Sequence, residues 1–186
     1  PARPVSGRPG DLIDIDVTNV GNGGVCIARH EGKVVLVRLA LPGERVRAVV
    51  TAVNTKLLRA DAVEVLRRSQ HRVTPPCQVF GVCGGCDWQH ATLSYQRTLK
   101  ADVVIEHMSH LGGVTTANGA PLSQFVVDPI PGDIDGLRWR TRNRFHRTTP
   151  DGKASVDLGL YASRSRSVVS TADCLLAVTR SIAAAP

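Results

Sequence analysis

The sequence predicts a mainly β protein with an α+β second part, in which an OB-like five-stranded barrel precedes a small domain that bears a metal centre. Five short apolar-rich runs, separated by polar or glycine-containing turns, fill residues 11–68. Three cysteines follow within the segment 77–86. A helical stripe and further strand-like runs then occupy the rest of the chain.

The five barrel strands are predicted from runs rich in apolar and β-branched residues. Their bounds are Asp11–Val17, Gly24–Arg29, Lys33–Arg38, Arg45–Val53 and Leu58–Leu66. His30-Glu31-Gly32 predicts a hairpin turn, and the glycine-rich residues 21–24 predict the turn after the first strand. A phosphate-binding role for those glycines is disfavoured because no helix pattern follows them. Cys26 lies in a strand and is expected to be a small buried side chain rather than a nucleophile.

The second part begins with the cysteines and contains one predicted helix, from Thr92 to about Leu111. Tyr95, Leu99 and Val103 recur there at helical spacing, and Gly112-Gly113 marks the end. The proline-containing residues 114–136 predict a loop. Three strands are then predicted at Leu137–Arg147, Ser155–Tyr161 and Arg166–Ser170, with a further helix over Leu175–Ala185.

The cysteines at Cys77, Cys83 and Cys86, with the distant Cys174, make a complete set of four thiolate ligands. Such a set suits zinc or an iron–sulfur cluster. Three bunched ligands and one distant ligand favour the cluster, because structural zinc sites usually bring two close pairs; zinc stays open. A thiol-redox role is disfavoured since no βαβ pattern surrounds the cysteines.

The residues around these cysteines carry further expectations. Gly84 and Gly85 are expected to let the backbone approach the metal centre and to direct N–H groups at its sulfurs. His90 is an alternative ligand, with Cys174 then a buried thiol, but a hydrogen-bonding loop histidine is the favoured interpretation.

The basic residues are unevenly distributed along the chain. The net charge of +7 divides into +4 for residues 1–70, −3 for 71–136 and +6 for 137–186. Clustered arginines and lysines neutralise phosphates, so a polyanionic partner is one explanation and solubility is the other.

A candidate nucleic-acid-binding strand lies at Leu137–Arg147. In an extended strand Arg138, Arg140, Arg142 and Arg144 share one face, about 7 Å apart, opposite Leu137, Trp139 and Phe145. Four guanidinium groups in such a row repel one another and favour an anionic partner, since arginine makes bidentate contacts to phosphate. The alternative is a solvated outer face above a core formed by Trp139 and Phe145.

The sequence carries no sign of membrane insertion or export. No apolar run approaches the roughly 18 residues that span a bilayer, and no apolar stretch follows the charged N-terminus. We therefore expect a cytoplasmic, monomeric protein with reduced, ligand-forming cysteines and no membrane partner.

Several motifs together resemble one family. They are the basic barrel, Cys-x5-Cys-Gly-Gly-Cys-x2-Gln-His at residues 77–90, a helix with Tyr95-Gln96 and Lys100, the Arg-x-Arg-x-Arg segment, and a fourth cysteine after Asp173. The chain resembles the RNA uracil-5-methyltransferases that carry a TRAM domain and an iron–sulfur cluster.

This resemblance implies a TRAM barrel at residues 8–68 and a cluster-bearing, incomplete central domain at residues 69–186. It implies that Cys77, Cys83, Cys86 and Cys174 hold a 4Fe-4S cluster of structural or RNA-positioning role, and that the partner is ribosomal or transfer RNA. The family's Rossmann-like domain, which binds S-adenosylmethionine and supplies the catalytic residues, has no counterpart in this sequence. The chain is thus interpreted as the N-terminal, RNA-recognising part of such an enzyme, with no catalytic or cofactor-binding residue of its own.

Two other functions remain open. One is a stand-alone zinc or iron–sulfur RNA-binding module without catalytic activity. The other is a radical-type tRNA-modifying enzyme, some of which also carry TRAM domains; the five-and-two spacing of the cysteines argues against it.

Overall fold

The computed structural model describes residues 7–148, 157–171 and 173–178. The chain divides into two compact units, one formed by Pro1–Val73 with His90–Val127 and the other by Thr74–Gln89 with Asp128–Pro186. The helix that follows the cysteine loop thus belongs to the first unit. The domain boundary predicted after residue 68 stays a prediction.

The first unit contains the predicted barrel, which is closed and five-stranded. Its strands are β1 Leu12–Val20, β2 Cys26–His30, β3 Lys33–Arg38, β4 Arg45–Val53 and β5 Leu57–Arg67. They pair in the order β1-β2-β3-β5-β4, and β4 closes on β1. The pair β3–β5 is parallel and the others are antiparallel. Full closure leaves no unpaired sheet edge.

The barrel core follows the alternation of the strands. Ile13, Ile15 and Val17 on β1 are buried, while the residues between them face solvent. Small and medium side chains from the other strands complete the core: Cys26, Ala28, Val35, Val37, Val46, Ala48, Val50, Leu58 and Ala60. Burial raises the pKa of the Cys26 thiol to about 12, with Glu44 adding to the shift. Cys26 is therefore a buried neutral side chain, as predicted.

A buried carboxylate lies in the connection between β3 and β4. Glu44 is fully buried and receives two hydrogen bonds of 2.7 Å from the Arg72 guanidinium. The backbone N–H groups of Leu41 and Ser69 also donate to it, at 2.9 and 3.1 Å. Burial opposes ionisation, but these four donors together keep the pKa of Glu44 below its ordinary value. Residues 69–72 are thereby fixed to the β3–β4 connection.

One helix, α1, covers Leu93–Glu106 and continues into a π-helical turn at His107–Leu111. Its extent agrees with the prediction, and Gly113 adopts a positive φ of 61° just beyond the end. Leu99 is buried, whereas Leu111 at the end of the predicted helix is 80% exposed. Nowhere in the described ranges does a helix combine the length and the apolar character needed to cross a membrane.

The second unit contains a three-stranded antiparallel sheet. Its strands are β6 His146–Thr148, β7 Asp157–Tyr161 and β8 Val168–Ser170, paired in that order. The last two lie within the predicted strands. Of the helix predicted at Leu175–Ala185, residues 175–178 instead form a turn and a β-bridge, and residues 179–185 lie outside the described ranges.

The prediction of one continuous strand over Leu137–Arg147 is wrong. Arg138 has a φ of +56°, which breaks an extended path. The backbone N–H groups of Arg138 and Arg140 instead bond the carbonyls of Leu175 and Leu176, and Val178 N–H bonds Arg140. Only β6, at the end of the predicted run, is a regular strand.

Candidate metal centre and basic segment

The cysteine loop, residues 77–86, is held against the end of β7 by backbone hydrogen bonds. The N–H of Gly84 donates to the carbonyl of Tyr161 at 2.9 Å, and the N–H of Ser163 donates to the carbonyl of Val82 at 2.9 Å. Within the loop, the N–H of Cys83 donates to the carbonyl of Val79 at 2.9 Å. These bonds fix the conformation of residues 79–84 and their position beside the end of β7.

Cys174 comes from a separate turn of the same unit. This turn is closed by a 3.0 Å bond from the N–H of Ala177 to the carbonyl of Cys174. Cys174 is 9% exposed and clusters with Leu176 and Ala177, against which the half-buried Cys86, Leu137 and Leu160 pack. The distant cysteine and Cys86 of the loop are thus brought to one apolar cluster.

All four predicted ligand cysteines line a single pocket. Cys77, Cys83, Cys86 and Cys174 line it together with apolar residues that include Leu160 and Leu176. All five cysteines of the chain carry free thiols. No three His, Cys, Asp or Glu side chains in the described ranges are arranged to hold a metal ion. The ligand set therefore stays a prediction, carried by the common pocket.

The electrostatics of the pocket reflect the proximity of the thiols. Burial raises the pKa of Cys86 to about 11; the amide of Gln89 opposes the shift, and the thiols of Cys174, Cys83 and Cys77 add to it. Burial likewise raises the pKa of Cys83, with smaller contributions from Cys174 and Cys77. Buried thiols of this kind are protonated at neutral pH, so metal binding here must release protons.

The two glycines of the loop serve different contacts. Gly85 donates its N–H to the sulfur of Cys83 at 3.4 Å, and its role beside a metal centre stays a prediction. Gly84 donates to Tyr161 instead, and an added Cβ would lie 3.0 Å from that carbonyl oxygen and 3.3 Å from the Cα of Ser163. Gly84 is therefore favoured by the close approach of the loop to the end of β7, which its position beside two cysteines did not reveal.

His90 belongs to the barrel unit rather than to the cysteine pocket. Its ring is 1% exposed, and Nε2 lies 3.3 Å from the carbonyl oxygen of Ala40. Burial lowers the pKa of His90 to about 4, and the neighbouring Arg72 adds to that effect. A neutral, hydrogen-bonded histidine at this position agrees with the favoured sequence interpretation.

The four arginines predicted to bind nucleic acid lie in residues 137–147, here called the basic segment, and have different surroundings. Arg138 is engaged by the fold: its guanidinium donates to the carbonyl of Cys174 at 3.2 Å and pairs with Asp173 at 2.9 Å. Arg140 is half-buried and lies over the indole ring of Trp139, 5.5 Å from its centroid. Arg142 and Arg144 are exposed.

Trp139 corrects the predicted inner face of this segment. It is 53% exposed, whereas Leu137 is half-buried against the Cys174 cluster as predicted. The positive φ at Arg138 breaks the two-residue alternation that placed Trp139 in the core. The basic segment therefore combines exposed arginines with an exposed indole.

Sequence reasoning gave no role to two polar residues of the cysteine pocket. Gln89 and Thr171 both line it. Gln89 stands three residues after Cys86, a spacing that could have drawn attention to it, and its amide nitrogen lies 3.1 Å from the sulfur of Cys86. Thr171 has no such signal in the sequence.

Comparisons with known proteins extend across both units. The TRAM domain family matches residues 8–63. An RNA methyltransferase of Streptomyces avermitilis is 41% identical over 177 residues, covering 90% of this chain and 39% of the relative. One of Bdellovibrio bacteriovorus is 35% identical over 167 residues, with the same two shares.

A further relative has a more specific name. The 23S rRNA (uracil(1939)-C(5))-methyltransferase RlmD of Alkalilimnicola ehrlichii is 38% identical over 134 residues, covering 72% of this chain and 28% of the relative. The chain thus spans about 28–39% of the length of these relatives.

Proposed function

Because the chain contains a TRAM domain and is homologous to RNA (uracil-5-)methyltransferases, we propose that it is the RNA-recognising and iron–sulfur-bearing portion of such an enzyme. The parent protein would transfer a methyl group from S-adenosylmethionine to C5 of a uridine in ribosomal or transfer RNA. The observation that carries the proposal is the extent of the homology, which covers 90% of the chain and so continues past the barrel.

The donor set of the cysteine pocket fits an iron–sulfur cluster. Cys77, Cys83, Cys86 and Cys174 supply four thiolates, and a buried site with N–H groups directed at sulfur suits such clusters. When bound, the group supplies iron–thiolate bonds that tie the loop 77–86 to the turn that carries Cys174. The chain's own residues do the rest: Gly84 fixes the loop to β7, and Arg138 holds the turn through Asp173.

RNA recognition is assigned to the barrel and to the basic segment. Arg142 and Arg144 are exposed, so their guanidinium groups are available to phosphates, and Arg140 with Trp139 adds a surface on which a base can stack. Arg138, also assigned to RNA from the sequence, acts first on the turn that holds Cys174. Such contacts position the RNA without reading its sequence.

The double variant Arg142→Ala/Arg144→Ala is expected to weaken RNA binding and to flatten its salt dependence. Each lost phosphate contact removes about 0.7 from the slope of log K against log salt for single-stranded RNA, so two lost contacts remove about 1.4. Fluorescence anisotropy with a labelled ribosomal RNA fragment, between low and moderate salt, measures both quantities.

The matched control is Arg45→Ala/Arg67→Ala, which removes the same charge from the barrel. Both arginines are paired with Asp16, at 3.5 and 2.9 Å, so their charges are already partly neutralised within the protein. A smaller change of slope is expected for this control. Equal changes in the two double variants would show that the paired barrel arginines and the exposed arginines contribute alike, and would remove the specific assignment of the basic segment.

The reaction itself is tested on the parent protein that contains this chain. With S-adenosylmethionine and RNA tritiated at C5 of uridine, methylation at C5 must displace the tritium into water. We expect release from ribosomal or transfer RNA and none without the methyl donor. If neither RNA releases tritium, the proposed reaction is wrong, whatever the metal content of the protein.

A further inference from the structure

Two polar residues line the cysteine pocket without being ligand candidates. The amide nitrogen of Gln89 donates to the sulfur of Cys86 at 3.1 Å. Its amide oxygen is buried and finds no hydrogen-bond partner in the described ranges. Gln89 is therefore oriented by a sulfur atom and by no other polar group of the pocket.

Thr171 lines the same pocket and has a buried hydroxyl. The residue is 6% exposed, and its backbone N–H donates to the carbonyl of Leu158 at 3.3 Å. Its hydroxyl has no partner among the described residues. Buried hydroxyl groups are nearly always hydrogen-bonded, and one left unpaired costs free energy. The hydroxyl thus lacks an acceptor among the described residues, and a bound group in the pocket could supply one.

The chemistry of the pocket indicates what that acceptor is. The residues that line it beside Gln89 and Thr171 are mainly apolar or cysteine, and the carboxylate of Asp173 is paired with Arg138. The sulfur atoms of a cluster held by the four thiols would be acceptors within this pocket. A hydroxyl and an amide N–H at two points of the lining can both donate to them.

Resting on the cluster assignment of the proposed function, we propose that Gln89 and Thr171 donate hydrogen bonds to the sulfur atoms of the bound cluster and thereby set its reduction potential and its retention. Gln89 donates to the ligand sulfur of Cys86. Thr171 donates from the β8 side to a cysteine or inorganic sulfur. Both are positioning residues and not ligands.

The physical effect follows from charge. A reduced cluster carries more negative charge on its sulfurs than an oxidised one, so each N–H or O–H donor stabilises the reduced form and raises the potential. Partners that hold metal ligands in place also support retention, and their removal typically weakens metal binding by about 10–100-fold.

The test compares Thr171→Val, Gln89→Met and Thr171→Ser in protein reconstituted anaerobically with iron and sulfide. Valine and methionine keep the approximate size of the side chains but lose the donor, whereas serine keeps the hydroxyl. We expect a more negative potential and roughly tenfold faster loss of iron to a chelator for Thr171→Val and Gln89→Met. Thr171→Ser should stay close to wild type. Thr98→Val, on the exposed face of α1, is the control for the substitution itself.

The outcomes separate this inference from the proposed function. A wild-type protein that assembles no cluster overturns the cluster assignment and the inference with it. A wild-type cluster whose potential and iron loss are unchanged in Thr171→Val and Gln89→Met overturns the inference alone. If circular dichroism shows that Thr171→Val does not fold, Gln89→Met decides, and an unchanged potential there overturns the proposal.

Discussion

Replacing Arg72 with methionine is expected to lower the free energy of unfolding by about 3–5 kcal/mol, the usual loss when one partner of a buried ion pair is removed. Glu44 is fully buried, and both of its carboxylate oxygens receive 2.7 Å bonds from Arg72. Without the guanidinium, a carboxylate inside the barrel unit keeps only the N–H groups of Leu41 and Ser69. Urea unfolding followed by circular dichroism measures the loss.

The control for this prediction is Arg47→Met. Arg47 also makes two ion pairs, with Asp14 at 2.8 Å and Glu64 at 2.9 Å, but all three side chains are substantially exposed. Exposed pairs contribute little because water and salt screen them. A loss as large for Arg47→Met as for Arg72→Met would show that burial of the carboxylate is not the cause.

The same pair gives the protein a defined dependence on pH. The folded pKa of Glu44 lies below the ordinary value of 4.5, since its four donors outweigh the effect of burial. Its stabilising contribution is therefore complete above the unfolded pKa and is lost as pH falls through the lower folded pKa. In Arg72→Met, burial is opposed by fewer donors, so this loss on acidification should shrink or reverse. Urea midpoints from neutral pH to about pH 3 test the sign.

The strands of the barrel could be predicted because the residue pattern that identifies each strand lies within that strand. Ile13, Ile15 and Val17 alternate with polar residues, and a two-residue period identifies both the strand and its buried face. The glycine-rich turn at residues 21–24 and the hairpin turn between β2 and β3 were also visible in the sequence. Closure of the barrel then follows from five strands that must each bury one face.

The prediction of a continuous strand over the basic segment is wrong because tertiary contacts decide its conformation. Residues 137–145 alternate like a strand, but their backbone partners are residues 175–178 and not a neighbouring strand of the sheet. The positive φ of Arg138 is supported by the bonds of its guanidinium to Cys174 and Asp173, residues more than thirty positions away. No periodicity within the segment encodes that contact, so the exposure of Trp139 could not be foreseen.

The candidate metal centre lies between these two cases. The count and spacing of the cysteines predicted that Cys174 joins a loop 88 positions earlier, with His90 as the alternative ligand, and the four cysteines do line one pocket. The two polar residues that line the pocket with them were not predictable. Gln89 is separated from Cys86 by an ordinary loop, and Thr171 acquires its place only when β8 pairs with β7.

The second large effect is expected for Cys174→Ala, which should abolish most iron and sulfide incorporation and the broad visible absorption of the reconstituted protein. Cys174 supplies the thiol of the turn at residues 173–177, and the carboxylate of its neighbour Asp173 is already held by Arg138. Three loop thiols then remain for a centre that needs four ligands. Anaerobic reconstitution, iron and sulfide analysis and absorption spectra measure the loss.

Cys26→Ala is the matched control, because it removes the one cysteine that lies in the barrel core and not in the pocket. It should reduce stability somewhat through the lost sulfur and its bond to Ala40, yet retain the full iron content. Full iron in Cys174→Ala would show that the distant thiol is not a ligand. A colourless wild-type protein that carries one zinc would support the four-thiolate site but overturn the assignment of an iron–sulfur cluster. Both centres accept four cysteine thiolates, so only the metal content and the absorption spectrum distinguish them.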